Sequence, residues 1–440
     1  MNFLARVRLR RQTPPRADVG TPPGAGLSPS AVQRGLRLSI IEGALSNIHV
    51  SITTSVFLTG FALLLGASDF EIGLIGALPF VGQIFQFVGA YLEERLGQRR
   101  LLVALSAGIS RTLWALIAAL PFLGGLGGAR LTIFLVVLAI SQALLGICGN
   151  AWTSWMSDLV PPRQRGRYFG LRNNVASITA MVSTLLAGYL LDQYRNVGTP
   201  EIGYALIFGL AVVAAIAGVI VVSRQPEPPM PRRQRVPFGA LFSAPLRHKR
   251  FRTLMLTAAG WALVTNIAGP FFNAYGIQTL KLSFATLAFI GIIPSISSLV
   301  SQPLVGYLQD RYGDRRVLIG SVLGVILLPW GWVLSTPTFL LPLWIIQVGA
   351  GLFWPGINQG LLNMVMDRAP SEGRGAYVAT YGALTGVGAF VSSLLGGLIA
   401  TGLGATMVQL GPLTLNHYAI LFVASSLGRA AMALVFARRL

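Results

Sequence analysis

Four polar residues stand at helical spacing in the first apolar stretch of this sequence: Glu42, Ser46, His49 and Thr53. At 100° per residue they fall within about 60° of arc, so a helix carries them as one polar stripe. A carboxylate and an imidazole embedded in apolar surroundings are the side chains best suited to carry protons. Glu42 and His49 are therefore candidate proton carriers, and Ser46 and Thr53 candidate solute contacts. In the simpler alternative, Glu42 pairs with a neighbouring arginine and His49 bonds a backbone carbonyl. Arg111, about 16 Å along the third apolar run from Arg100 at 1.5 Å per residue, is the arginine that stands out. An internal Glu42–Arg111 ion pair is favoured for it over anion binding or snorkelling.

Other chemistries find no support. Cys148 is the single cysteine, and His49, His248 and His417 lie in separate segments, so no metal-ligand spacing and no cofactor site is expected. The sequence holds no Walker loop, nucleophile elbow, HExxH or paired carboxylates, which argues against an enzyme. Energy for any transport would come from gradients.

These residues are positioned by unusually apolar elements. Of 440 residues, 53% are hydrophobic and 11% charged, whereas soluble domains carry about 25% charged residues. Twelve runs are long enough to cross a bilayer: 37–66, 69–92, 100–124, 129–157, 167–191, 202–223, 253–279, 284–308, 317–334, 339–365, 376–402 and 414–437. They are continuous rather than alternating, so they read as helices and not barrel strands. The fold class expected is an all-α polytopic membrane protein of twelve transmembrane helices.

The net charge of +20 could suggest nucleic acid, but its placement says otherwise. Of 34 Lys and Arg residues, all but Arg111, Arg130, Arg195, Lys281 and Arg429 fall in the tail, the even-numbered loops, the carboxy-terminal end or the adjoining helix starts. That pattern places both termini in the cytoplasm, and no nucleic-acid partner is expected. Residues 1–36 read as a disordered tail, because they are rich in Arg, Pro and Gly and lack an apolar core. The proline-rich stretch 224–252 reads as a cytoplasmic central loop whose Phe238–Leu246 part could lie on the membrane. It separates six-helix bundles at 37–223 and 253–440. Trp330, Trp332 and Trp344 fit an aromatic belt at an outer membrane face.

The two bundles repeat each other. "AYLEERLGQRR" (Ala90–Arg100) recurs 216 positions later as "GYLQDRYGDRR" (Gly306–Arg316). "DLVPPRQRGRYFG" recurs as "DRAPSEGRGAYVA" at an offset of 209, aligning Asp158 with Asp367 and Arg165 with Arg374. Two loops repeated in the same order indicate duplication. Six helices per copy is an even number, so the copies are parallel repeats about an axis along the membrane normal.

Twelve spans, a basic central loop and the G-x-L-x-D-R-x-G-x-R-R turn resemble the major facilitator superfamily, over about residues 37–437. The resemblance implies secondary transport by alternating access. It makes the turns a cytoplasmic latch, formed by Glu94, Arg95, Gly97 and Arg100 in the first copy. The second copy supplies Gly306, Asp310, Arg311, Gly313 and Arg316. The first copy departs, with Ala90 and Glu94 where Gly and Asp are usual. A glycine there would let two helices approach closely, and the acid would meet a helix amino-terminus and an arginine.

The resemblance also has helices 1, 4, 7 and 10 line a central cavity. Helix 4 then offers Gln142, Gly146, Asn150, Thr153 and Ser157, with Trp152 and Trp155 turned away. Helix 7 offers Trp261, Thr265 and Phe272 on one face and Asn266 on another. Helix 10 offers Gln347, Gly351, Trp354 and Asn358. With so few charges, these residues suit a small neutral or amphiphilic organic solute, moved with proton coupling across a bacterial inner membrane by a monomer. The proline-glycine pattern of many drug/proton antiporters is absent from Thr179–Asp192, which lowers the drug-antiport reading. The alternative is a non-transporting membrane protein of the same fold, an assembly factor or sensor. The expected partners are lipid, a small-molecule substrate and protons.

Overall fold

The computed structural model describes residues 26–230, 247–369, 374–411 and 413–439. The stretch expected to lie on the membrane, and most of the tail, fall outside these. Among the described residues, eleven helices are long and apolar enough to cross a membrane. We label them by order along the chain. Spans 1 to 6 are Pro29–Leu64, Asp69–Leu96, Arg99–Phe122, Ala129–Leu159, Pro162–Asn196 and Pro200–Ser223. Spans 7 to 9 are Phe251–Gln278, Phe284–Tyr312 and Asp314–Val333; spans 11 and 12 are Tyr377–Leu403 and His417–Arg439. Span 10, Leu341–Arg368, is long enough to cross but is diluted by Gln347, Trp354, Pro355, Asn358 and Gln359. A short hairpin of two strands, Val408–Leu410 and Leu413–Leu415, joins spans 11 and 12.

Helix ends follow local chemistry more closely than hydropathy does. Span 1 starts at Pro29 rather than 37, because the Ser28 hydroxyl accepts from the Ala31 N–H (3.2 Å) and proline suits the first turn. Residues 29–36, assigned above to the tail, are therefore helical. The turns after spans 2 and 8 end on glycines with positive φ, Gly97 at 65° and Gly313 at 83°, which side-chain-bearing residues rarely adopt.

Among the described residues, three spans are interrupted. Span 1 breaks at Thr53–Thr54, where the Thr53 hydroxyl bonds the His49 carbonyl (2.8 Å) and the Thr54 hydroxyl that of Val50 (2.7 Å). Span 7 breaks before Pro270. Span 9 breaks at Leu327, because Pro329 has no N–H to offer the Val325 carbonyl. Arg429 of span 12 supplies the missing donor, with Nη1 3.0 Å from that carbonyl, and Ser426 bonds the carbonyl of Ile326 (2.7 Å). The buried Arg429 thus has a structural occupation at a helix carboxy-terminus.

Glycines set how close the spans come. Spans 2 and 4 cross at Gly82 and Gly146, where a Cβ on Gly146 would stand 2.0 Å from the Gly82 carbonyl oxygen. Gly146→Ala is therefore expected to cost about 1–3 kcal/mol through overpacking against unyielding backbone. A thermal unfolding midpoint unchanged from the parent protein would contradict that.

The apolar core shows how the two groups of six meet. Its largest cluster contains Phe57, Phe61, Tyr204 and Phe208 from the first six spans and Phe271, Phe284, Tyr418 and Phe422 from the last six. It lies at the end of the bundle away from Pro29 and Arg439, called here the far end. Towards the near end the core divides. One cluster, around Phe251, Leu318 and Phe436, belongs to the last six spans, and another, around Leu102, Ile147 and Trp155, to the first six. Among the described residues, the two groups share one apolar core at the far end and have separate cores at the near end, while spans 2 and 11 pack across the halves at Gly73–Gly397 and Gln83–Gly386.

Candidate functional site

The polar stripe of span 1 faces into its own half. Glu42, Ser46, His49 and Thr53 are all buried. Glu42 lies between two guanidiniums: Oε1 is 3.5 Å from Arg111 Nη2 of span 3, and Oε2 is 3.4 Å from Arg172 Nη2 of span 5. Ser46 donates to Glu42 and accepts from Arg111 Nη2 at 2.7 Å. Gly43 and Gly218 make this room, since a Cβ at either would lie 3.0 Å from Arg172 or 3.3 Å from Arg111. His49 stands edge-on to Trp114, with ring centroids 5.8 Å apart, and its polar neighbour is the Ala211 backbone. The structure thus adds a second cation, Arg172, to the expected Glu42–Arg111 pair. Arg172 reads in the sequence as a basic residue at a helix start. Its position two turns inside, seven residues past Arg165, was the available signal.

Part of the span 4 face expected to line a cavity, namely Gln142, Gly146 and Asn150, packs on span 2. The reason is the Gly82–Gly146 crossing, which turns Asn150 towards Glu93; its Nδ2 donates to Glu93 Oε2 at 3.2 Å. Thr153 is exposed and returns its hydroxyl to the Gly149 carbonyl (2.7 Å). Trp152, expected to turn away from the cavity, carries the Arg172 guanidinium 4.2 Å above its ring centroid.

In the other half, Trp261 packs against Trp354, centroids 6.0 Å apart. Thr265 bonds the Trp261 carbonyl (2.9 Å), Asn266 that of Ala262 (2.8 Å) and Gln347 that of Ile290 (3.0 Å). Those three polar groups are occupied by backbone. A cavity of about 310 Å³ between spans 8 and 10 is lined by Pro294, Ser298, Gln302, Trp354 and Asn358 among others. Of the candidate solute contacts, Trp354 and Asn358 open onto that space.

At the near end, Glu94 and Asp310 are exposed, and each neighbouring arginine bonds within its own helix: Arg311 to the Tyr307 hydroxyl (2.8 Å), Arg95 towards Tyr91 (3.4 Å). Nothing lies within 4 Å of where a Gly306 Cβ would be, so close helix approach does not explain that glycine in this conformation. The buried acid is Glu93, one residue earlier, on the face that Gly89 and Gly82 press against span 4. It bonds Ser154 as well as Asn150.

Arg99, which is 1% exposed, pairs with Asp158 at 2.6 Å and lies 3.6 Å from Glu227. Glu227 also accepts the Arg99 and Arg100 backbone N–H groups (2.6 and 3.2 Å). It caps span 3 and pins the start of the central loop to the first half. Arg165 bonds the Ser157 carbonyl (2.6 Å) and Asp367 is exposed. The Arg374 side chain lies outside the described residues, and Arg316 is exposed.

Among the described residues, two polar clasps cross between the halves at the far end. Asp192, at the end of span 5, accepts the backbone N–H groups of Phe284 and Ala285 at 2.8 Å each. A carboxylate thereby caps span 8, where helical N–H groups converge unsatisfied. The Phe284 ring fills the gap at Gly60 beside Tyr204 and Phe57, with Arg195 over it at 5.7 Å. In the second clasp the Tyr418 hydroxyl donates to Asp69 Oδ1 (2.5 Å), and His417 Nε2 lies 3.3 Å from Oδ2. Asp69, His417 and Tyr418 carried no pattern in the sequence that singled them out, because their partners are about 350 positions apart.

A family model described as Major Facilitator Superfamily matches residues 43–393 and 278–438. The citrate-proton symporter of Salmonella typhi is 24% identical over 363 residues, covering 80% of each chain. A probable nitrate/nitrite transporter, NarK2, of Mycobacterium tuberculosis is 23% identical, covering 77% of this chain and 82% of its own. Among solved structures, the nucleoside transporter NupG superposes with a TM-score of 0.68 at 13% identity, covering 93% and 98% of the two chains. A bacterial homologue of the iron transporter ferroportin, in an inward-facing state, gives 0.67 at 13% identity, covering 93% and 98%.

Proposed function

Because this chain belongs to the Major Facilitator Superfamily, a family of membrane transporters rather than enzymes, we propose that it is a secondary active transporter of a small amphiphilic or neutral organic solute. It works by alternating access in a bacterial inner membrane, with both termini in the cytoplasm, proton coupling and a monomer as the working unit. The observation that carries this reading is the lopsided core. The halves share one apolar cluster and two polar clasps at the far end but have separate cores at the near end. Basic residues crowd the near end, which makes it cytoplasmic by the positive-inside rule. This reads as an inward-open form, in which Glu94 and Asp310 are exposed as latch residues would be while the cytoplasmic side is open. The cavity beside Trp354 and Asn358, aromatic with neutral polar groups, favours an amphiphilic or neutral solute. Matching burial of Glu93 and Gln309, 216 positions apart, supports two duplicated six-helix bundles.

Spin labels at positions 197 and 281 report on the far end, and labels at 94 and 310 on the near end. In proteoliposomes under a pH gradient, both pairs should show two distance populations that move in opposite directions. A single fixed distance at both ends, whatever the gradient or added solute, would favour the non-transporting alternative.

A further inference from the structure

Glu42 is the single carboxylate shared by two guanidiniums, so the cluster it forms with Arg111 and Arg172 carries a surplus positive charge. Hydrogen-bond donors are in surplus as well. Arg111 Nε and Trp152 Nε1 are buried without an acceptor. Arg172 gives Nε to the Ser39 carbonyl (3.3 Å) and Nη2 to Glu42, and among the described residues nothing accepts from Nη1. Buried donors without acceptors are costly and mark places where an acceptor belongs.

The members differ in access. Arg111 and Glu42 side chains are 7% and 8% exposed, while Arg172 is 13% exposed. Arg172 and Trp152 come from spans 5 and 4 and meet in front of Ser39 and Gly43 of span 1, towards the near end where the two halves have separate cores. The guanidinium carbon lies 4.2 Å over the indole centroid, a cation–π contact that restrains the head group, whose planar fork suits a carboxylate.

We infer that Arg172 and Trp152 form an anion subsite that takes the carboxylate of the transported solute, an inference that rests on the transporter reading above. One surplus charge matches a monocarboxylate. A di- or tricarboxylate would bring negative charge that this cluster does not balance. Arg111 and Glu42 act as positioning residues: they fix the Arg172 head group and set the net charge behind it. The indole surface around the subsite favours acids with an apolar or aromatic body.

The test uses full-length protein in phosphatidylcholine nanodiscs and two probe pairs, benzoate with benzamide and hexanoate with hexanamide. Thermal shift and calorimetry should show the acids binding and the amides not. Arg172→Gln should weaken benzoate binding by about tenfold or more, the loss of a charge-assisted contact. Trp152→Phe keeps the ring and removes the N–H, and should weaken it by about three- to tenfold; it carries the test if Arg172→Gln does not fold. Equal binding of acid and amide, no binding by either acid, or benzoate binding unchanged in the folded variants would each overturn the inference. So would loss of the acid response in phosphatidylglycerol nanodiscs, which would give the subsite to a lipid headgroup. Spin-label distances that respond equally to acid and amide would reject the subsite alone, whereas distances that never change would reject the transporter reading.

Discussion

Glu42→Gln is expected to lower the thermal unfolding midpoint more than any other single substitution on the span 1 stripe. The carboxylate is 3.5 Å from Arg111 and 3.4 Å from Arg172, and all three side chains are at least largely buried. Removing it leaves two desolvated cations facing each other. Breaking a buried ion pair from one side typically costs about 3–5 kcal/mol, because a charge is left uncompensated. The double variant Glu42→Gln/Arg111→Met should recover part of the loss, since it removes one of the stranded cations. Intrinsic tryptophan fluorescence on heating checks both; a single variant as stable as the parent would mean that the triad is not what holds spans 1, 3 and 5 together. The double variant also isolates the proton question. If solute flux keeps its dependence on the pH gradient in that background, Glu42 is not the proton carrier, and His49 is next to be replaced.

The second large effect concerns the far end. Asp192→Ala should shift the resting population towards the form in which that end is open. The aspartate makes two hydrogen bonds of 2.8 Å to backbone N–H groups of the opposite half, and bonds to a charged acceptor are worth about 1.5–3 kcal/mol each. A net loss of about 2.8 kcal/mol would change the ratio of the two forms about a hundredfold. The spin-label pair at 197 and 281 should then report a mostly widened distance without any added solute. An unaltered distance distribution would show that Phe284, seated at Gly60, closes the far end without help from the carboxylate. Asp69→Asn makes a useful comparison: Tyr418 keeps an acceptor, so a smaller widening is expected there.

Much of this architecture was legible before the tertiary structure. The apolar runs and glycine-ended turns follow from local rules, and so do the basic loops. A bilayer requires every backbone group to be satisfied within its own segment, so a spanning helix must be written as one continuous stretch. Gly97 and Gly313 are needed by the chain's own backbone angles. Where local chemistry departed from hydropathy, at Ser28–Pro29 or Pro329, the signal was still in the sequence, although span boundaries drawn from apolarity missed it.

The site was less legible, and one cause recurs. Glu94 drew attention through its register in the repeat, yet Glu93 is the buried acid, because the span 2–span 4 crossing at Gly82 and Gly146 decides which way that helix faces. The same crossing took Asn150 away from the expected cavity face. Periodicity gives the angle between residues on one helix but not the rotation of that helix against its neighbours.

The sequence by itself therefore determined the twelve spans, their doubling and the charged ends, since each depends on a chain segment and its solvent. Only the tertiary structure decided that Glu42 serves two arginines, that Arg172 lies on Trp152, and that Asp192 closes the far end on span 8. Those are contacts between segments as much as 130 positions apart, fixed by how close glycines let the helices come.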